Sequence, residues 1–178
     1  MSPQSPDAAN QAVGALVERL AAALLRRNWH LVTAESCTGG MIAAACTDLA
    51  GSSQWFELGL VTYSNHAKSD LLGVDAELMS RLGAVSEDVA RAMASGARKR
   101  SRADVAVAVT GVAGPTGGSP DKPVGTVWFG WDVEGTLSSE VRHFSGDRAA
   151  VRQATLRHAL QQLLALVDAR EAPAPVAS

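Results

Sequence analysis

Leu31-Val32-Thr33-Ala34-Glu35-Ser36-Cys37-Thr38-Gly39-Gly40-Met41-Ile42-Ala43-Ala44-Ala45-Cys46 is the stretch whose reading decides the architecture. A short apolar run ends at a hydroxyl and a thiol, two glycines follow, and an alanine-rich helical segment begins. The pattern predicts a strand over 31–35, a tight turn, and a helix over 40–49. Small residues at such a turn let the backbone approach a ligand, and the amides of a helix start favour an anion. An oxyanion forming beside Ser36 would meet the same donors. A plain strand-to-helix turn with Ser36 as the helix cap would use the same residues.

The elements on either side follow the same order. Upstream, Val13, Leu16, Val17, Leu20 and Leu24 recur at helical spacing. Downstream, Phe56 to Tyr63 reads as a second strand, followed by short helices near 66–72 and 75–82. Ser86 is placed to cap a longer helix through about Arg100, with Glu87 and Asp88 in its first turn. Val105-Ala106-Val107-Ala108-Val109 is continuously apolar, as in a strand covered on both faces. Strands near 124–133 and 136–144 flank Glu134-Gly135, a hairpin turn, and Leu156, Leu160, Leu163, Leu164 and Val167 mark a last helix. Helices interleaved with strands, with one late hairpin, predict a three-layer α/β/α single domain with a mixed sheet. Residues 1–9 read as a disordered leader, 10–170 as the domain, and 171–178, rich in alanine and proline, as a disordered tail.

Composition limits the function classes. At 178 residues the chain is long enough for a sizeable core. A net charge of -2 gives no electrostatic case for nucleic acid or anionic membrane. No apolar run approaches the roughly 20 residues that span a bilayer, and Met1 to Asp7 lacks the basic and apolar regions of a signal peptide. Two cysteines, Cys37 and Cys46, form no disulfide framework, so a reduced cytoplasmic protein is expected.

Two further segments carry chemistry: Val61-Thr62-Tyr63-Ser64-Asn65-His66-Ala67-Lys68, and Thr110-Gly111-Val112-Ala113-Gly114-Pro115-Thr116-Gly117-Gly118. Each follows a predicted strand. If the three strands are neighbours and parallel, all three segments meet at one sheet edge, where open α/β sheets bind ligands. The glycine loop is neither a Walker loop nor a dinucleotide fingerprint. Ser36 lacks the flanking glycines of a hydrolase elbow.

Taken together, Ala34-Glu35-Ser36-Cys37-Thr38-Gly39-Gly40, Tyr63-Ser64-Asn65-His66-Ala67-Lys68 and the 110–118 loop resemble the CinA C-terminal domain family, and Val124-Gly125-Thr126-Val127 also fits. The resemblance spans about residues 10–168. Its enzymatic members are nicotinamide-nucleotide amidases of the PncC type, and the resemblance is to the stand-alone form. It implies hydrolysis of nicotinamide mononucleotide to nicotinate mononucleotide and ammonia in pyridine nucleotide salvage, with Ser36 as nucleophile, Lys68 as base and Tyr63 beside them. Cys37, Thr38, Gly39, Gly40, Thr110, Gly111, Ala113, Gly114, Gly117 and Gly118 are then expected around the nucleotide. No metal or other cofactor is expected, and the assembly expected is a homo-oligomer. The alternative is a catalytically silent nucleotide-binding or competence-associated protein of the same fold.

The chemistry sets a condition. A lysine takes a proton near neutral pH only if its pKa falls from about 10.4 to about 7–8, which requires burial or a nearby positive potential. Surface lysines do not meet it. Cys37 is the rival nucleophile, with a small buried filler as its plainer role. Tyr63, the only tyrosine, is able to orient Ser36 or Lys68 or to stack on a pyridine ring. The Arg98-Lys99-Arg100 cluster with Arg102 is read mainly as a solvated helix C-terminus, and His30, His66, His143 and His158 lack metal-ligand spacing.

Overall fold

The computed structural model describes residues 6–170. In chain order it contains α1 (Pro6–Leu25), β1 (Leu31–Glu35), α2 (Met41–Thr47), β2 (Phe56–Val61), α3 (Asn65–Leu72), α4 (Ala76–Leu82), α5 (Glu87–Lys99), β3 (Val105–Gly111), β4 (Thr126–Val133), β5 (Thr136–His143) and α6 (Arg148–Asp168). The strands form one sheet in the order β2-β1-β3-β4-β5. β1 runs parallel to both neighbours, whereas β4 and β5 are antiparallel additions joined by the Glu134-Gly135 hairpin. Glu35 lies level with Val61 on one side and with Val109 on the other. The three parallel strands therefore end together, as the convergence of the three segments requires.

Alternation along the strands separates two apolar layers. Val105, Val107 and Val109 face the layer built with α1, α2 and α6, together with Phe129 and Trp131 of β4. Ala106 and Ala108 face Met93, Ala94 and Ala97 of α5 and Leu72 of α3. The sheet is thus covered on both faces, which explains why β3 reads as one apolar run. Phe129 and Trp131 stack with ring centroids 5.5 Å apart, and the Trp131 indole N–H donates to the Ala159 carbonyl at 3.1 Å, tying β4 to α6. Each such large side chain contributes about 1.5–3 kcal/mol by burial. Among the described residues no helix is long and apolar enough to cross a membrane.

Three details depart from the sequence reading. Helix α1 already begins at Pro6, inside the expected leader; proline suits the first helical position because its missing N–H has no helical partner there anyway. Residues 1–5 and the tail 171–178 lie outside the described residues. Strand β2 stops at Val61, because the carbonyls of Thr62 and Tyr63 turn to the Lys68 amine instead of continuing a ladder. Ser86 precedes α5 without a side-chain cap; its hydroxyl donates to the Gly83 carbonyl at 2.9 Å.

Candidate active site

Ser36 is the first residue beyond β1. Its amide donates to the Val109 carbonyl of β3 at 3.1 Å, while the Glu35 carbonyl accepts from the Thr62 amide at 2.8 Å. The turn is thereby fixed to both neighbouring strands. Helix α3 starts directly after β2, with the Ser64 hydroxyl accepting from the Ala67 amide as its cap. Lys68 occupies the first turn, and side chains of a helix lean toward its N-terminus. The lysine accordingly reaches back, its Nζ donating to the Thr62 carbonyl at 2.9 Å and the Tyr63 carbonyl at 3.3 Å. Its third contact is the Ser36 hydroxyl, Nζ to Oγ 3.0 Å.

Lys68 is 1% exposed and Ser36 9%. Lys68 forms no salt bridge among the described residues. Burial therefore pushes the Lys68 amine below the ordinary lysine value. A neutral amine has two N–H groups and one lone pair. The two carbonyls take the N–H groups, which leaves the lone pair to accept the Ser36 hydroxyl proton. The pair has the geometry of a nucleophile beside its base.

The rest of the turn serves a different purpose from the one expected. Gly39 and Gly40 both have positive φ, 62° and 99°, so the glycine pair is what allows the chain to reverse into α2. The amides at the start of α2 are already occupied by the buried carboxylate of Glu35, a residue the sequence reading passed over. Glu35 accepts from Gly40 N at 3.0 Å, Ile42 N at 3.0 Å and Ala43 N at 2.8 Å. Thr38 is fully buried, and its hydroxyl donates to the same carboxylate at 2.6 Å. The Thr38 hydroxyl and the Gly40 amide are thus bonded to the protein's own carboxylate. Cys37 packs into the core layer with α1 and α6, and burial pushes its thiol up to about 11, so it stays protonated at neutral pH.

The glycine loop approaches from the other side. Thr110 is buried and donates to the Ala84 carbonyl at 2.9 Å, Ala113 is buried in the core, and Gly111 is still part of β3. Val112 is paired with Thr126 and Gly125. Gly114, Gly117 and Gly118 lie beyond this fastening. Gly114 has φ 82°, and a Cβ there would stand 2.5 Å from Val124 Cγ1, so the position requires glycine. Its carbonyl accepts from Arg148 at 2.9 Å, and the same guanidinium donates to the Tyr63 hydroxyl at 3.1 Å. Arg148 is the first residue of α6, and Arg152, one turn later, donates to the carbonyls of Cys37 and Thr38 at 3.2 and 2.8 Å. The N-terminus of α6 thus joins all three segments. Neither arginine was singled out from sequence, since their partners lie 34 to 115 residues away.

Other candidates fall outside the site. His66 is exposed and pairs with Asp70 at 2.9 Å. Lys99 and Arg100 are exposed, as a solvated helix C-terminus requires, whereas the half-buried Arg98 pairs with the buried Asp132 at 2.9 Å.

The chain belongs to the CinA C-terminal domain family, whose sequence profile matches residues 14–167. It is 55% identical over 151 residues to the nicotinamide-nucleotide amidohydrolase PncC of Pseudomonas putida, spanning 85% of this chain and 94% of that protein. The PncC of Escherichia coli K12 is 53% identical, over 83% of this chain and 90% of its own length. Among solved structures, the competence/damage inducible protein CihA from Agrobacterium tumefaciens superposes with a TM-score of 0.85 at 44% identity, covering 93% of this chain and 99% of that one.

Proposed function

We propose that the protein is an amidohydrolase that converts nicotinamide mononucleotide to nicotinate mononucleotide and ammonia through a Ser36–Lys68 pair. The observation that carries this reading is the 3.0 Å contact between the Ser36 hydroxyl and a buried lysine amine that has no carboxylate partner among the described residues. The names of the PncC relatives supply the substrate.

The neutral Lys68 takes the hydroxyl proton as Ser36 Oγ attacks the carboxamide carbon. The resulting Lys68 ammonium gives that proton to the amide nitrogen, and ammonia leaves an ester on Ser36. Water then attacks the ester, Lys68 accepts its proton and returns one to Ser36 Oγ, and the carboxylic acid product departs. Desolvation favours the neutral base at the start of each half. Tyr63 and Arg148 form the exposed rim and suit the polar parts of a nucleotide, with the Gly114 backbone bonded beside them.

The protein is taken to work in the cytoplasm, in keeping with its two free, buried thiols. It is taken to act as a homo-oligomer, for which the exposed Leu58 and Val61 of edge strand β2 offer apolar surface; light scattering tests this. The reaction is tested by ammonia release from nicotinamide mononucleotide, its riboside and nicotinamide. A kcat/KM far larger for the nucleotide supports the reading, because remote contacts raise turnover as well as affinity. Equal values for the nucleotide and free nicotinamide refute nucleotide recognition, and no release from any of the three refutes the amidase.

A further inference from the structure

We infer that Glu35 is a positioning residue, whose carboxylate sets the angle at which Ser36 meets Lys68; the inference rests on the Ser36–Lys68 reading above. Glu35 is 1% exposed, and its two oxygens face five donors. Oε2 accepts from the Thr38 hydroxyl, Gly40 N and Ile42 N, and Oε1 accepts from Ala43 N at 2.8 Å and the Thr33 hydroxyl at 3.4 Å. Donors on every side are the complement of an ionised carboxylate, which accepts and cannot donate.

These bonds close a ring of chain around the nucleophile. The Glu35 backbone is held by β2 through Thr62, the Ser36 amide by β3 through Val109, and the Glu35 side chain grips the beginning of α2. Ser36 to Gly40 is the only segment between these anchors. Gly39 and Gly40, both with positive φ, give that segment little stiffness of its own. Arg152 holds the Cys37 and Thr38 carbonyls from α6, and the Glu35 carboxylate fixes the other end of the segment through Thr38, Gly40 and Ile42. The carboxylate also neutralises the positive end of α2, so this helix start is filled by the protein's own charge and cannot hold the substrate's.

Glu35→Gln keeps the shape and removes the charge. Its NH2 group must face either the Ala43 amide or the three donors around Oε2, so at least one buried donor loses its acceptor. The turn then opens and Ser36 swings from Lys68. Ser36 reactivity is read without substrate by its rate of labelling with a small fluorophosphonate, located by peptide mass spectrometry. In the full-length protein, labelling and kcat are expected to fall by about a hundredfold, the scale of a displacement near 1 Å. KM for nicotinamide mononucleotide is expected to stay within about twofold, because the rim contacts are untouched. Glu35→Asp, which keeps the charge but is one methylene shorter, should recover part of the labelling rate.

If Glu35→Gln does not fold, Thr38→Val removes only the 2.6 Å hydroxyl contact and should lower labelling and kcat severalfold at constant KM. Wild-type labelling rates in folded Glu35→Gln overturn the inference and leave the Ser36–Lys68 reading intact, as does an unchanged kcat in Thr38→Val if only that variant folds. A loss that appears in KM with kcat unchanged also overturns it. A wild-type enzyme that cleaves the nucleotide but is never labelled at Ser36 overturns the site reading and this inference with it.

Discussion

Replacing Lys68 with methionine separates the cost of burying its charge from the bonds that it makes. Lys68 is 1% exposed, and its amine contacts Ser36 Oγ and the carbonyls of Thr62 and Tyr63. Methionine forfeits three hydrogen bonds, each contributing about 1 kcal/mol net, and removes a titratable group that burial holds below the ordinary lysine value. The sign follows from proton counting. Between the lowered folded pKa and the unfolded value of about 10.4, the unfolded chain binds more protons, so wild-type stability rises with pH by up to about 1.4 kcal/mol per unit. Below the folded pKa the full cost of burying the ammonium is present, and above about 10.4 it is gone.

Lys68→Met lacks this contribution, and all other groups cancel in the difference. Near pH 10 the variant should therefore be about 3 kcal/mol less stable than wild type, with the gap closing or reversing toward pH 6. Urea unfolding of both proteins followed by circular dichroism between pH 6 and 10 measures it. A gap that is flat, or that widens toward acid pH, refutes the argument that Lys68 is desolvated.

Activity should follow the same group. The kcat/KM of the wild type is expected to rise with pH through the lowered Lys68 pKa, as the protonated amine becomes a base; a fall over that limb would exclude the role. Lys68→Arg should be nearly as inactive as Lys68→Ala in ammonia release, since a guanidinium keeps its proton; near-normal turnover would make Lys68 an electrostatic contact only. Cys37→Ala should keep most of the activity and lose about 1 kcal/mol of stability in urea unfolding, because the buried thiol, pushed up to about 11, is core filling. Gly114→Val should raise KM for the nucleotide in steady-state assays, because a Cβ at φ 82° would collide with Val124 and shift the loop.

Much of this site was legible because its parts are local. Strand β1, the glycine turn and α2 are contiguous, and Ser64 to Lys68 spans a single helical turn, so the strand ends that carry Ser36 and Lys68 follow from the order of residues, while the pairing of the two came from the family resemblance. The apolar run at Val105–Val109 marked a strand covered on both faces, and Glu134-Gly135 marked the hairpin. What sequence did not reveal depends on partners distant in the chain or on a side chain folding back. The carboxylate of Glu35 turns from its strand to the amides at 40, 42 and 43, and only the position of α2 shows it. A glutamate ending a mostly apolar strand was the available signal, but sequence alone does not show which way its side chain turns. Arg148 and Arg152 reach the site from the last helix, and no local pattern distinguishes them from solvent-facing arginines. Thr110, Thr38 and Ala113 were expected to surround a nucleotide because they lie in the matching segments. The structure buries all three, Thr38 bonded to Glu35 and Thr110 to the Ala84 carbonyl, and neither bond is legible from a local motif.

The central claim is that Ser36 carries the acyl group, and rapid-quench mass spectrometry during turnover of nicotinamide mononucleotide tests it most directly. The account predicts an adduct of the nicotinate nucleotide on the peptide containing Ser36, attached at Ser36 itself. In Ser36→Ala the adduct should be absent and kcat reduced by about a millionfold, as when a covalent nucleophile is removed. The Lys68 amine should remain held by the Thr62 and Tyr63 carbonyls in that variant. An adduct on Cys37, or Ser36→Ala turning over at a rate comparable with wild type, would contradict the account.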